Sequence, residues 1–172
     1  MARMESTERT ESIRILPTEV YFSLVRRMLA ETGQAYVRVT GTSMLPLLRP
    51  MRDGVVIRPA GKLRPGDIVL CDRGNGRYVL HRVIRMGRDG FTMAGDHQGH
   101  AEPGFSRDQV LGVVREIDRG NRRISVNSFF LVLYAGGMTA TAFPRIYLWR
   151  ATEPLRRLFR RGRTDSPGGA GR

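Results

Sequence analysis

Between residues 35 and 127 the sequence is a succession of short β-rich runs separated by Gly, Pro and Asp. The runs are AYVRVT, GVVIRP, DIVLCD, YVLHRVI, FTMAG, QVLGVVREI and RISVNS. Runs of this length, rich in β-branched residues and bounded by turn-forming residues, are typical of strands in an all-β unit. The sequence therefore predicts a mainly β fold in which side chains alternate between two faces of a sheet.

Segments of different character flank this β unit. Residues 17–33 contain a threonine near their start, Thr18, that can cap a helix, and they end with a glycine. Val20, Leu24 and Leu29 recur at roughly helical spacing. We therefore divide the chain into a disordered N-terminus (1–16), an N-terminal helix plus β domain (17–127), an apolar segment with a basic amphipathic helix (128–163) and a flexible tail (164–172).

The charge of the chain is strongly positive. Of 172 residues, 29 are Lys or Arg and 16 are Asp or Glu, which gives a net charge of +13. This charge suits a polyanionic partner, either nucleic acid or anionic lipid. An arginine-rich, GC-rich genome explains it equally well, because Lys62 is the only lysine. Only 34 residues with one clear helix precede the β unit, which is too little for a DNA-binding domain and argues against nucleic acid as the partner.

Two segments bear on membrane association. The first fifteen residues are polar and charged and contain no apolar signal-peptide core. The stretch SFFLVLYAGGMTATAF (128–143) offers about fifteen mostly apolar residues, whereas a membrane span needs roughly twenty. We expect a buried or interfacial segment there, with a single transmembrane segment at 128–149 as the alternative, and residues 128–161 provide a surface suited to an anionic membrane. The expected location is the cytoplasm or the cytoplasmic face of the membrane.

The stretch GTSMLP (41–46) places Ser43 in a loop flanked by glycine and proline. A serine hydroxyl needs a base within hydrogen-bond reach to act as a nucleophile. Lys62 lies in a polar turn, GKLRPGD, where an exposed, charged ammonium is expected, so it does not suit this role. His81 lies between two valines on one face of the strand YVLHRVI, where a partly buried imidazole stays largely neutral, as a general base must. A core histidine bonded to a backbone carbonyl is the structural alternative.

Five short motifs follow one another in an order that resembles the signal peptidase/LexA-like superfamily of serine endopeptidases. They are GTSMLP, GDIVL, LHRVI, AGDHQ and VLGVV, and they cover roughly residues 37–117. In that superfamily the serine of the Ser-Met-x-Pro loop is the nucleophile, which corresponds to Ser43. Bacterial signal peptidases and LexA-type repressors have a lysine as the base, whereas the archaeal and endoplasmic-reticulum type has a histidine before Arg-Val, which corresponds to His81. The resemblance implies a compact coiled β-sheet peptidase unit with an N-terminal helix and a C-terminal helical segment.

The resemblance also implies an acidic residue that supports the histidine. In the histidine-type enzymes this residue follows a glycine, and Asp96 in AGDHQ is the preferred match. The related enzymes often have a second aspartate about six residues later, and Glu102 near that place is the alternative supporting acid.

The nucleophile loop is expected to supply the rest of the site. The loop Gly41, Thr42 and Ser43 would hold the oxyanion, mainly through the backbone N–H of Ser43. Met44 and Pro46 are expected at the substrate pocket, with ordinary core packing as the alternative for Met44.

The sequence gives no indication of a metal or cofactor. Cys71 is the only cysteine, which excludes an internal disulfide and a cysteine-based zinc site. His97 and His100 lie beside Asp96 in DHQGH, but without further ligands we interpret them as solvated loop residues. Asp67 opens a strand and is expected to be a turn residue.

The sequence thus predicts a serine endopeptidase that cleaves a signal- or leader-like peptide through Ser43, His81 and Asp96. Its expected partner is a peptide or preprotein substrate. The alternative is a non-catalytic or self-processing LexA-like module that binds nucleic acid or membrane through its basic surface.

Overall fold

The strands of the protein pair into one antiparallel sheet. The computed structural model describes residues 17–74, 76–120 and 122–148. Within these residues the strands are β1 (Ala35–Arg38), β2 (Gly54–Arg58), β3 (Ile68–Asp72), β4 (Tyr78–Met86), β5 (Phe91–Ala94), β6 (Glu102–Phe105), β7 (Val110–Asp118) and β8 (Arg123–Ser125). The helices are α1 (Thr18–Thr32), α2 (Phe129–Ala140) and α3 (Ala142–Leu148). The mainly β fold with flanking helices that the sequence predicts is confirmed.

The order of strands in the sheet is β1-β2-β7-β3-β4-β5-β6, and β8 also pairs with β7. Strand β3 is the middle of this order, β7 pairs with three strands (β2, β3 and β8), and β1 and β6 form the two ends. The predicted segments 1–16 and 164–172, and the basic part of 128–163 after residue 148, lie outside the described residues.

All seven β-rich runs of the sequence form strands, but β6 was not predicted. Its sequence, EPGF, contains a proline and a glycine, which weaken a strand interior. An edge position tolerates both, because the outer side of an edge strand needs no donor for the ladder.

The sheet separates two apolar clusters. One cluster lies between the sheet and the side chains of α1 and the loop after Ser43; it includes Leu29, Val37, Met44, Leu48 and Leu70. The other lies on the opposite face and includes Val69, Cys71, Val83, Met93 and Val113. Neighbours on β3 (Val69 and Leu70) therefore enter different clusters, as a period of two requires.

Helix α1 ends as predicted but turns a different face inward. Gly33 closes it in a left-handed conformation (φ 71°), and the N–H of Gly33 donates to the carbonyl of Leu29. The start is different, because Pro17 is the N-cap and no side chain caps the helix. Val25 and Leu29 are buried, whereas Val20 and Leu24 of the predicted apolar face are exposed.

Helices α2 and α3 follow the last strand. Ala142 and Ile146 of α3 are buried against Ile84 and Ala94 of the sheet. No residue of α2 is fully buried. Among the residues described, no single helix has both the length and the apolar character to cross a membrane, and α2 and α3 reach that length only as a pair bent by 54°.

Candidate active site

Ser43 lies in a tight turn that follows β1. The turn is closed by backbone hydrogen bonds from Leu45 N–H to the Thr42 carbonyl (3.2 Å) and from Leu48 N–H to the Met44 carbonyl (2.9 Å). Met44 is buried in the first cluster, so it anchors the turn from below while Ser43 stays half-buried at the surface. Within the described residues, neither the hydroxyl nor the backbone N–H of Ser43 makes a hydrogen bond. Both groups are therefore available to a substrate.

His81 lies in the middle of β4 on the face that carries the second cluster. Val79 and Val83, its neighbours at i−2 and i+2, both pack in that cluster, as the alternation predicts. Only 1% of His81 is exposed.

Gly95 lies between the turn of Ser43 and the strand that carries His81. Strands β4 and β5 pair Arg82 with Ala94, and the next position in this antiparallel register places Gly95 across from His81. A Cβ at Gly95 would lie 2.6 Å from the carbonyl oxygen of Ser43, so only glycine admits the turn of Ser43 this closely. The same carbonyl accepts a hydrogen bond from the backbone N–H of His97 (2.8 Å). No hydrogen bond joins the Ser43 hydroxyl to His81 in the described part of the chain.

Glu102 of β6 is the carboxylate that faces His81. Its Oε1 lies 3.1 Å from Nδ1 of His81, although the geometry is not that of a hydrogen bond and Nδ1 has no other partner. Glu102 also forms an ion pair with Arg73. His100, which is exposed, places its Nε2 3.9 Å from the same carboxylate oxygen.

Asp96, the preferred supporting acid from the sequence, has a different partner. Arg82 donates from Nε to Oδ1 (2.8 Å) and from Nη2 to Oδ2 (2.7 Å), which is a bidentate pair. Both side chains are buried, and Arg82 also donates to the Gly66 carbonyl (2.8 Å). The expectation that Asp96 faces His81 is therefore wrong, and the alternative, Glu102, is the residue that does. The physical reason is that Asp96 follows Ala94 by two positions and so shares the face of Arg82, across the sheet from His81.

Tyr134 of α2 completes the arginine–aspartate cluster. Its hydroxyl donates to Oδ2 of Asp96 at 3.4 Å, and its ring centroid lies 5.5 Å from the guanidinium carbon of Arg82. Burial and the neighbouring Asp96 carboxylate raise the pKa of Tyr134 to about 12. Helix α2 is thus attached to the strand that carries His81.

Burial sets the protonation state of the groups around His81. It lowers the pKa of His81 to about 4, against the opposing effect of the Glu102 carboxylate, so the imidazole is neutral at pH 7. Burial, with Glu102 as a second cause, raises the pKa of Cys71 to about 12. Cys71 therefore remains a thiol near neutral pH, and a buried thiol is a poor nucleophile.

A cavity of about 200 Å³ opens beside Ser43. Its lining is mostly apolar and includes Val37, Met44, Leu70, Leu80, Tyr78 and Phe22. Phe22 of α1 stacks on Tyr78 with ring centroids 3.7 Å apart, so the N-terminal helix forms part of the cavity wall. Met44 lines this cavity and also packs in the first cluster, whereas Pro46 is exposed and not among the lining residues. Gly41 also borders the cavity, and a Cβ there would meet no atom within 4 Å.

The remaining polar residues of interest lie apart from Ser43 or at the surface. Lys62 is exposed, as expected. Asp67 accepts a hydrogen bond from the Arg64 backbone N–H (2.8 Å), in agreement with a role in a turn. The side chains of His97 and His100 are exposed, and the described residues contain no group of three or more His, Cys, Asp or Glu arranged to hold a metal ion.

Sequence reasoning missed Phe22 and Arg73 beside the site, and Tyr134 in the Arg82–Asp96 cluster on the opposite face of the sheet. Each makes its contact from another element, with a residue distant in sequence. The sequence signals that could have found them are weak, because an aromatic residue in a helix or an arginine after a strand is common in proteins of any function.

Comparison with known proteins places this architecture in a family. Residues 5–115 match the family model described as peptidase S24-like. No curated protein and no solved structure gives a match. The match covers more than half of the chain and includes the turn of Ser43, the strand of His81 and Glu102. The protein therefore belongs to the peptidase S24-like family.

Proposed function

We propose that the protein is a serine endopeptidase that uses Ser43 as its nucleophile, His81 as its general base and Glu102 as the acid that orients the histidine. The observation that carries this proposal is the meeting at Gly95, which brings the turn of Ser43 against the strand position opposite His81. Membership of the peptidase S24-like family supports a serine peptidase at a coarser level and does not identify the base.

The division of labour follows from the protonation states. A neutral His81 can accept the Ser43 proton as the hydroxyl attacks the scissile carbonyl, and it later returns that proton to the leaving amine. Nδ1 is the ring nitrogen that lies near Glu102, so in this proposal it carries the N–H of the neutral ring and Nε2 is the base. The Glu102 carboxylate stabilises the imidazolium that forms during the reaction. The unpaired N–H of Ser43 is the donor for the oxyanion.

The substrate is an extended peptide. Strand β1 is an edge of the sheet and leads directly into the Ser43 turn, so a peptide that adds to this edge brings its backbone to the nucleophile. The neighbouring cavity accepts one apolar side chain of limited size, because about 200 Å³ is small for a ligand pocket. A signal- or leader-like peptide with small apolar residues near the cleaved bond has this chemistry.

The test uses a peptide library made by digesting a whole proteome, with mass spectrometry of the new N-termini that the purified protein creates. We expect cleavage by the wild type, and a loss of at least about 10³-fold in rate with Ser43→Ala and with His81→Ala. Ser23→Ala is the matched control, because Ser23 is exposed on α1 and bonds only to the Val20 carbonyl. It should cleave as the wild type does.

Circular dichroism and thermal unfolding separate loss of chemistry from loss of fold. Folded Ser43→Ala and His81→Ala variants that cleave at the wild-type rate would overturn the proposal. Cleavage confined to the chain itself, at a rate independent of protein concentration, would instead indicate the self-processing alternative.

A further inference from the structure

Helix α2 exposes large apolar side chains to solvent, which is unusual on a protein surface. Its sequence, FFLVLYAGGMTA, contains no charged residue. Phe129 is 74% exposed and Phe130 is 80% exposed, and Leu133 is largely exposed beside them. A helix that is apolar all round is normally buried in a core or in lipid, and a contiguous exposed apolar patch marks an interaction site.

Helix α3 also exposes large apolar side chains. Phe143 and Tyr147 are exposed, while Ala142 and Ile146 of the same helix are buried against the sheet. Together, Phe129, Phe130, Leu133, Phe143 and Tyr147 form what we call the outer apolar face.

The inner side of the two helices is fixed to the β domain. Tyr134 contacts the buried Arg82 and Asp96, and Ile146 packs on Ile84. A helix pair held in this way cannot cross a bilayer unless the sheet enters the hydrocarbon as well. The outer apolar face can therefore enter a membrane only from the side, with α2 and α3 lying along its surface.

The sequence that follows α3 has the charge that matches an anionic lipid surface. Residues 149–163 begin with the only tryptophan of the chain, Trp149, a residue type enriched at membrane interfaces. The segment has one acidic residue, Glu153, and its positive charge comes from Arg150, Arg156, Arg157, Arg160, Arg161 and Arg163. Each basic residue near an anionic membrane adds to the attraction, and apolar burial adds independently.

We propose that the outer apolar face and the arginines of residues 149–163 dock the protein on an anionic phospholipid bilayer, with α2 and α3 parallel to the membrane plane. The docking does not depend on the peptidase activity, because Ser43 and His81 take no part in it. Phe129 and Phe130 supply the apolar contact, and the arginines select for anionic headgroups.

Trp149 gives a local readout in the unmodified protein. The full chain is mixed with vesicles of phosphatidylcholine alone or of phosphatidylcholine with phosphatidylglycerol, and tryptophan emission and vesicle flotation are recorded. We expect a blue shift of the emission and flotation with the anionic vesicles, weakened by added salt. Because Trp149 is the only tryptophan, the shift reports this segment alone.

Two sets of variants separate the apolar from the electrostatic contribution. Phe129→Ser with Phe130→Ser should lower the affinity for anionic vesicles at least about tenfold, since two exposed rings lose their burial in lipid. Val20→Ser with Leu24→Ser is the matched control on α1, where both side chains are about half exposed, and it should bind as the wild type. Arg156→Gln with Arg157→Gln and Arg160→Gln should remove the preference for anionic over neutral vesicles.

Wild-type binding by the Phe129/Phe130 variant, or an unshifted Trp149 emission with anionic vesicles, would overturn the proposal. So would a wild-type dimer that fails to bind vesicles and becomes monomeric in the same variant, since a second copy of the chain would then cover the outer apolar face. Size-exclusion chromatography with light scattering makes that distinction.

Discussion

His81 and Arg82 are neighbours on β4, and each faces a carboxylate on its own side of the sheet. The Arg82–Asp96 pair is bidentate, buried and supported by Tyr134 and the Gly66 carbonyl. The His81–Glu102 contact is a single approach of 3.1 Å without hydrogen-bond geometry, and Glu102 is shared with Arg73.

The difference in geometry indicates which role each of the two pairs is suited to. The buried Arg82–Asp96 pair is bidentate and its remaining contacts reach the Gly66 carbonyl and Tyr134, so it fixes the relative position of β4, β5 and α2. A neutral imidazole beside a shared carboxylate can gain a proton and be stabilised when it does. In the proposed mechanism, one strand therefore carries a structural pair (Arg82 and Asp96) and a reactive pair (His81 and Glu102) on opposite faces. Separate substitutions should then affect stability and activity separately.

Breaking the structural pair should have the largest effect. Asp96→Ala leaves the Arg82 guanidinium buried without its counterion, and we expect the free energy of unfolding to fall by about 3–5 kcal/mol. Urea denaturation followed by circular dichroism measures this. Glu31→Ala, which removes the exposed Arg27–Glu31 pair on α1, is the control and should lower stability by about a tenth as much. Equal losses in the two variants would contradict a structural role for Asp96.

A substitution in the reactive pair, His81 and Glu102, should lower the catalytic rate rather than the stability. Glu102→Gln removes the charge that stabilises protonated His81, so kcat should fall by about 10²–10⁴-fold with a much smaller loss of stability than Asp96→Ala causes. The pH profile gives a second readout. Activity requires neutral His81, so kcat/KM of the wild type should fall as the pH drops through about 4, the pKa of His81.

Because Glu102 raises that pKa, the Glu102→Gln variant should move this acid limb to lower pH. The matched control is Glu116→Gln on β7, whose carboxylate lies near Arg58 and not near His81. An unchanged kcat in Glu102→Gln, or the same loss in Glu116→Gln, would remove Glu102 from the site.

The smallest effect on stability is expected at Tyr134, which contacts the structural pair from α2. Tyr134→Phe removes one long hydrogen bond to Asp96 but keeps the ring against Arg82, so the free energy of unfolding should fall by at most about 1 kcal/mol. A double-mutant cycle with Asp96→Ala measures the coupling between the two residues. Strict additivity would show that Tyr134 does not contribute through Asp96.

Local sequence pattern was sufficient to predict the setting of two residues, Ser43 in a loop after a strand and His81 on one face of β4. Their catalytic roles stay predictions. The choice between Asp96 and Glu102 depends instead on how β5 and β6 pair. That pairing is a contact between separate strands, and local sequence pattern does not show it. Met93 pairs with Val83 on one side and with Glu102 on the other, so Glu102 shares the face of His81.

The inward face of α1 shows the same limit. Helical spacing alone allowed Val20, Leu24 and Leu29 as the buried set, but the structure buries Val25 and Leu29. The partner surface selects the face of the helix, and here that surface includes Tyr78, on which Phe22 stacks. Tertiary contacts of this kind are absent from a single sequence.

The buried thiol of Cys71 is a natural probe of local opening between β3 and β4, the strand that carries His81. Cys71 pairs with Val79, two residues before His81, and is fully shielded from solvent. An alkylating reagent reacts with a thiolate, so it can modify this side chain only during the intervals when the strands part. Since the chain has one cysteine, the rate of labelling reports how often these strands open, and no engineered cysteine is needed.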